Sequence, residues 1–216
     1  TARLPFTDWD PHADIEAGES VRIEDVYIRE FRGVPSVNVT EFSTVEPTAD
    51  VAVSDSATEM EVYEAVEAGG VFDVALVGNV IEVRDGSGLI QRCPECSRVV
   101  QNGQCRSHGE VDAEDDMRVK AILDDGTDTV TVVLDRELTE AVYGGTLTEA
   151  LDHARDAMDR EVVADEIAQK VVGKEYRVRG ALSVDEYGAN LDATAFKESD
   201  EDPALRAEAL LAEVSQ

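Results

Sequence analysis

Apolar and polar residues alternate with period two along most of this chain, and helical spacing is confined to a few stretches. Val21 and Ile23, then Val26 and Ile28 after a bulge, run to Phe31. Arg32-Gly33 turns the chain into Val37, Val39 and Phe42, so 20–43 reads as a hairpin. Residues 1–17, around Trp9, read as loop with a short helical turn, and 46–56 as linker. A helix is expected from Ala57 to Ala68, capped by Asp55 or Ser56 and closed by Gly69-Gly70. Residues 71–84 form a long strand with Gly78 at its middle, where a bulge or sharp bend is expected. Met117, Val119, Ala121 and Leu123 share one strand face and Arg118, Lys120 and Ile122 the other; Asp125-Gly126 turns this strand into Thr129–Leu134. The acidic run 110–116 between these strands reads as a solvated connection.

Helical spacing then takes over. A short helix runs from Asp135 to Tyr143. Thr146 and Glu149 form a capping box that opens a second, whose periodicity continues through Val163, Ile167 and Val171 to Gly173. Tyr176–Val184 and Ala189–Phe196 are strands joined by the turn 185–188, and Asp202-Pro203 opens a last helix with Leu205, Ala209, Leu210 and Val214.

Residues 71–198 thus give five strands with helices between the third and fourth and an insert between the first and second. That is the order of an OB-fold barrel, a mainly β fold with helices (α+β). Gly18-Glu-Ser-Val-Arg22-Ile23 repeats as Gly173-Lys-Glu-Tyr-Arg177-Val178 at an offset of 155 residues, and Gly33 and Gly188 keep that offset. The expected organisation is therefore 1–47 as the closing half of an upstream OB-fold whose first strands precede Thr1, 48–70 as linker and helix, 71–198 as the full barrel, and 199–216 as the C-terminal helix.

Charge changes the picture next. Asp and Glu number 48 against 19 Lys and Arg, a net charge of -29, with 43% hydrophobic residues in periodic runs that argue against disorder. A carboxylate-rich, lysine-poor surface suits a halophile's protein, soluble where molar salt shortens the Debye length to about 3 Å. Acidity ordinarily counts against a nucleic-acid partner; in molar salt that objection loses its force. Residues 1–20 lack an apolar core and no uncharged run approaches the ~18 residues a membrane span needs, so a cytoplasmic protein with no membrane partner is expected.

The densest chemistry is Cys93-Pro94-Glu95-Cys96, an eight-residue loop containing Asn102-Gly103, then Cys105-Arg106-Ser107-His108. Two pairs of N/S ligands, each with two residues between, match a closed tetrahedral zinc site, Cys93, Cys96, Cys105 and His108. A disulfide would strand one of three cysteines, and a redox CxxC would leave Cys105 and His108 without a role. Four protein ligands leave no open position, so the zinc is structural. His108-Gly109-Glu110 matches the H-x-E of zinc deaminases, but those enzymes place it before the P-C-x-x-C pair. No Ser/His/Asp set or phosphate loop appears, and His12, His108 and His153 lack catalytic companions, so no enzyme is expected.

The bent strand VFDVALVGNVIEVRDGSGLIQR, the ribbon CPECSRVVQNGQCRSHG inside the barrel, the hairpin MRVKAILDDGTDTVTVVLD and the tail GKEYRVRGALSVDEYGANL resemble the replication protein A family, in particular the zinc-containing OB-fold of its large subunit and haloarchaeal relatives. The resemblance covers about 57–214 and departs at His108, where the family often has cysteine. It implies sequence-tolerant single-stranded DNA binding in replication, repair and recombination, with the C-terminal helix packing on partner subunits. Candidate DNA contacts are Arg118 with Lys120, Arg177 with Arg179, the ribbon-flanking Arg84, Arg92 and Arg98, and, for base stacking, Tyr187 and Phe196. An RNA-binding OB module and a non-binding assembly subunit share these sequence features.

Overall fold

The computed structural model describes residues 4–9, 18–31, 34–52 and 57–199. Its centre is a closed ring of strands. β1 (Gly70–Val83) is followed by a short β2 (Gly88–Arg92), then β3 (Glu114–Asp124), β4 (Thr129–Leu134), β5 (Glu175–Asp185) and β6 (Gly188–Glu198). β1 pairs antiparallel with β3 and β5, β3 with β4, and β5 with β6; β4 and β6 close the ring in parallel, Thr131 opposite Asn190. One parallel closure in an otherwise antiparallel five-stranded Greek-key barrel is the OB-fold arrangement, and the strand order expected from the sequence is the one observed.

Side-chain alternation delivers the core. Met117, Val119, Ala121 and Leu123 are buried, as are Val74, Leu76 and Val80 of β1, Val178 and Leu182 of β5 and Leu191 of β6. Truncating one, as in Leu123→Ala, should cost about 2–5 kcal/mol. Gly78 marks the place where β1 and β3 cross most closely: a Cβ there would lie 2.7 Å from the Asp124 carbonyl oxygen. The β1–β3 register slips three residues further on, where Leu123 faces Val80 and Ile122 faces Glu82, so the bulge falls at Ile81 and not at Gly78 itself.

Helices α2 (Arg136–Tyr143), α3 (Leu147–Ala157) and α4 (Val162–Val171) cap one end of the ring. Asp135 caps α2, and Thr146 and Glu149 make the expected capping box on α3. The sequence expectation of one continuous helix after Thr146 is corrected at Met158. This residue adopts a left-handed conformation while the amides of Met158 and Asp159 fold back on the carbonyls of Arg155 and Ala154. Hydrogen bonds of a Schellman stop thus form without the usual glycine.

Three further expectations change. The helix expected from Ala57 is α1 (Val62–Glu67); Thr58–Glu59 instead pairs in parallel with β1. The N-terminus of α1 is held by Asp125, whose carboxylate accepts from the Val62 amide at 2.7 Å, and by Thr127; the expected caps Asp55 and Ser56 lie outside the described residues. The acidic run before β3 is not a solvated connection, because Glu114–Asp116 belong to β3 and pair with β2. In the N-terminal region, Tyr27–Phe31 and Val34–Val39 form the expected hairpin, but Val21–Glu24 pairs with Thr44–Pro47, part of which read as linker. Phe6–Asp8, read as loop, runs parallel to Val37–Val39. The Arg32-Gly33 turn and the C-terminal helix from Asp202 also fall outside the described residues. No helix among the described residues is long and apolar enough to cross a membrane.

Candidate metal centre and nucleic-acid interface

β2 and the first half of β3 form a two-stranded arm, Arg92 opposite Glu114 and Gly88 opposite Arg118, and residues 93–113 fold at its tip. The first knuckle closes by backbone bonds from the Ser97 amide to the Cys93 carbonyl and from the Cys93 amide to the Arg98 carbonyl. Left-handed Ser97, Asn102 and Gly103 supply the reversals. Cys93, Val100 and Cys105 make a small apolar cluster with Val111 and Ala113, separate from the barrel core.

The ligand atoms of Cys93, Cys96, Cys105 and His108 all lie within 4.8 Å of one another. His108 Nδ1 is 3.4 Å from Cys93 Sγ and 3.8 Å from Cys105 Sγ, and Cys96 and Cys105 Sγ are 3.6 Å apart. Bonds of 2.0–2.3 Å to a tetrahedral metal give ligand separations of about 3.5–3.8 Å, so the donor set fits one ion. Backbone amides prepare it electronically. The Ser107 amide, with help from that of His108, outweighs burial and lowers the Cys105 thiol to about 6, toward the thiolate a metal requires. Glu95 Oε2 stands 3.8 Å from the outward Nε2 of His108, beyond hydrogen-bond reach but close enough for its charge to act on the ring.

Asp116, which the acidic run 110–116 led us to expect in a solvated connection, is 5% exposed at the root of the arm. Its two oxygens receive Arg92 and Arg136, and neighbouring Asp115 receives Arg160 at 3.0 Å. Arg92 also donates to the Ser97 carbonyl, so one cluster ties the first metal knuckle to β3 and α2. Burial pushes the Asp116 carboxyl up, but hydrogen bonds from Arg92 and Arg136 outweigh it and hold the group below the usual carboxylate range. A lone aspartate in an acidic run carries no sequence signal of this role; only the outward-facing arginines hint at it.

On the outer barrel face beside the arm, the structure brings together Arg84, Arg118 and Lys120. Arg118 donates to the Gly86 carbonyl and Arg84 to Thr131 Oγ1 at 3.5 Å, and none of the three has an ion-pair partner among the described residues. Partial burial and the charges of Arg118 and Arg84 lower the Lys120 pKa; burial and Arg92 lower that of Arg118. These cations lower one another's affinity for protons, and although Glu82 and Asp128 line the adjoining groove, neither closes an ion pair with them. Arg84 lines a groove of about 390 Å³ together with Glu82, Ile122, Asp128, Thr129, Thr131 and the β5–β6 turn, from which Tyr187 projects, 87% exposed; Lys120 and Arg118 continue the Ile122 face of β3 beside it.

The remaining sequence candidates lie elsewhere. Arg177 pairs with Glu59, and Arg179 grips both oxygens of Asp73 at 2.7 and 2.8 Å. Phe196 stacks on Tyr176 with ring centroids 4.1 Å apart and packs against the core. Arg98 bridges the knuckles through Ser107 Oγ. His153 Nδ1 contacts Tyr143 and Glu166 on the helical cap.

No protein-family model and no curated protein matches the chain. Among solved structures it is similar to a replication protein A heterotrimer bound to ssDNA (TM-score 0.49, 11% identity, 90% of this chain and 54% of that one) and to yeast RPA bound to ssDNA (0.44, 15%, 75% and 98%). It is also similar to the Stn1-Ten1 complex of S. pombe (0.29, 13%, 67% and 76%). The chain spans about half the length of the first of these. The fold rests on the strand order and register described above.

Proposed function

We propose that the chain binds single-stranded DNA with little sequence preference through the groove between Arg118, Lys120 and Arg84 on one side and Tyr187 on the other. One observation carries this reading: three cations without carboxylate partners converge on one barrel face of a protein in which carboxylates outnumber cations by 48 to 19. Guanidinium and ammonium groups suit backbone phosphates, and an exposed phenol ring offers a stacking face to any base. Zinc, held by Cys93, Cys96, Cys105 and His108, stiffens the arm on which Arg118 sits.

In this reading the protein is a replication protein A relative from a salt-loving archaeon, acting in the cytoplasm in replication, repair and recombination beside other subunits. Residues up to 47 form the closing part of a second barrel. The parallel pairing of Phe6–Asp8 with Val37–Val39, followed outward by a hairpin, repeats the β4–β6 closure and the β5–β6 hairpin. The test is fluorescence anisotropy with oligo-dT, oligo-U and duplex DNA in molar KCl, with metal measured on the same sample. The expected result is tight binding of oligo-dT, weaker binding of oligo-U and none of duplex. Affinity that collapses between low and molar salt would sink the reading, because stacking and direct arginine contacts should outlast the loss of counterion release.

A further inference from the structure

The strand register sorts the outer face of the barrel into two rows. In one, Glu82 of β1 stands beside Ile122 of β3, Ile122 beside Thr131 of β4, and Thr131 beside Asn190 of β6. In the other, nearer the arm, the Arg84 amide donates to the Lys120 carbonyl, Lys120 faces Val133, and Val133 faces Asp192. Alternation along each strand puts both rows on the same face. The row beside the arm thus begins with two cations, which Arg118 extends, and ends in Asp192. The far row begins with a carboxylate and contains no cation. Asp128, in the β3–β4 turn beyond it, lines the same groove and adds a second carboxylate. Acidic residues abound on this surface, so their presence alone says nothing. Their placement does: Arg84 and Glu82 share a strand face, yet neither Glu82 nor Asp128 closes an ion pair among the described residues. Opposite charges kept apart within one groove leave space for a ligand that carries both a negative charge and hydrogen-bond donors.

We infer that Glu82 and Asp128 read base edges, so that the groove favours bases presenting an amino group, cytosine over thymine or uracil. With phosphates on Arg84, Lys120 and Arg118, bases extend over Ile122 and Thr131 toward Tyr187, where the two carboxylates stand. An ionised carboxylate accepts hydrogen bonds and cannot donate them, so it holds the exocyclic amine of cytosine. Thymine and uracil turn a carbonyl to the same place, acceptor against acceptor, and are disfavoured. The inference rests on the single-strand-binding reading of this groove and adds a base preference to a contact otherwise tolerant of sequence.

The test is anisotropy in molar KCl, at mildly alkaline pH, with 8-mers of deoxycytidine and deoxyuridine, which differ only in that edge and are short enough for one OB groove. The deoxycytidine 8-mer should bind about fivefold tighter. Glu82→Gln with Asp128→Asn should bring the two affinities together by strengthening the deoxyuridine 8-mer alone. Both side chains are exposed, and asparagine retains the acceptor that the Thr129 amide uses on Asp128, so the thermal melt should not move. Lys120→Ala should weaken both 8-mers by the same factor and keep their ratio. Equal binding of the two 8-mers by the parent protein overturns the base readout and leaves the groove reading standing. So does a double variant that strengthens both equally, because the carboxylates would then act only by repelling phosphates. Binding of neither 8-mer overturns both readings.

Discussion

Two faces of one barrel carry the same sequence signature and different chemistry. Arg118 and Lys120 on β3, and Arg177 and Arg179 on β5, are each two cations separated by one residue on a strand. On β5 the cations are neutralised: Glu59 meets Arg177, and Asp73, across the β1–β5 ladder, takes Arg179 in a bidentate pair. On β3 Lys120 lies close enough to Arg118 and Arg84 for their charges to lower its pKa, and none of the three has an ion-pair partner among the described residues. Spacing along a strand reports which face a side chain takes. What that side chain does depends on the strand beside it.

The comparison breaks most directly by reversing charge. Arg118→Glu with Lys120→Glu should weaken oligo-dT binding at least a hundredfold, about 2.7 kcal/mol, whereas Arg177→Glu should change it less than threefold; equal losses in anisotropy titrations would erase the distinction between the faces. Next in size is the metal. Cys93→Ser should abolish stoichiometric zinc in elemental analysis and lower DNA affinity about tenfold by loosening the arm under Arg118, while the barrel core still melts cooperatively. Full affinity in a zinc-free variant would keep the site and remove its link to the groove.

Much of this was legible beforehand. Met117–Leu123 announced its faces, Thr146 and Glu149 their helix, and the cysteine spacing its site, because period two, capping and knuckle geometry are all local. The β1–β3–β4–β6–β5 closure followed from element order. Failures share a different cause. Arg179 meets Asp73 106 residues away and Arg177 meets Glu59 118 residues away, distances at which no periodicity speaks. Phe196 looked like a base-stacking ring because the sequence could not show Tyr176 against it. Asp116 looked solvated because its neighbours Glu114 and Asp115 are, in composition, indistinguishable from it.

Asp116 sharpens the comparison from the protein side, since it holds the arm that presents the unneutralised cations. Asp116→Asn should lower stability by about 2 kcal/mol, the worth of charge-assisted hydrogen bonds to Arg92 and Arg136. The pH dependence has a definite sign. The folded carboxyl titrates below its unfolded value of about 3.9, so its contribution is complete above that pH and is lost as pH falls through the lower folded value. Urea melts of the parent and variant should therefore differ fully at pH 6 and converge below pH 4. A gap that widened on acidification would mean that the buried carboxyl, not its arginine partners, governs the site.

The smallest expected effect is the most discriminating. Glu59→Gln removes the ion-pair partner of Arg177, leaving Glu61, Glu64 and Asp125 in the same groove as the nearest candidates to replace it. Both members of that pair are exposed, so stability should change by less than about 1 kcal/mol. If lack of a partner were enough to make a DNA contact, affinity should now rise severalfold. We expect a change of under twofold, because Arg177 lies away from the β5–β6 turn and has no exposed ring such as Tyr187 across a groove from it. A base needs a face to stack on before a nearby cation can hold its phosphate, so an unpaired arginine marks an interface only where an aromatic stands within reach.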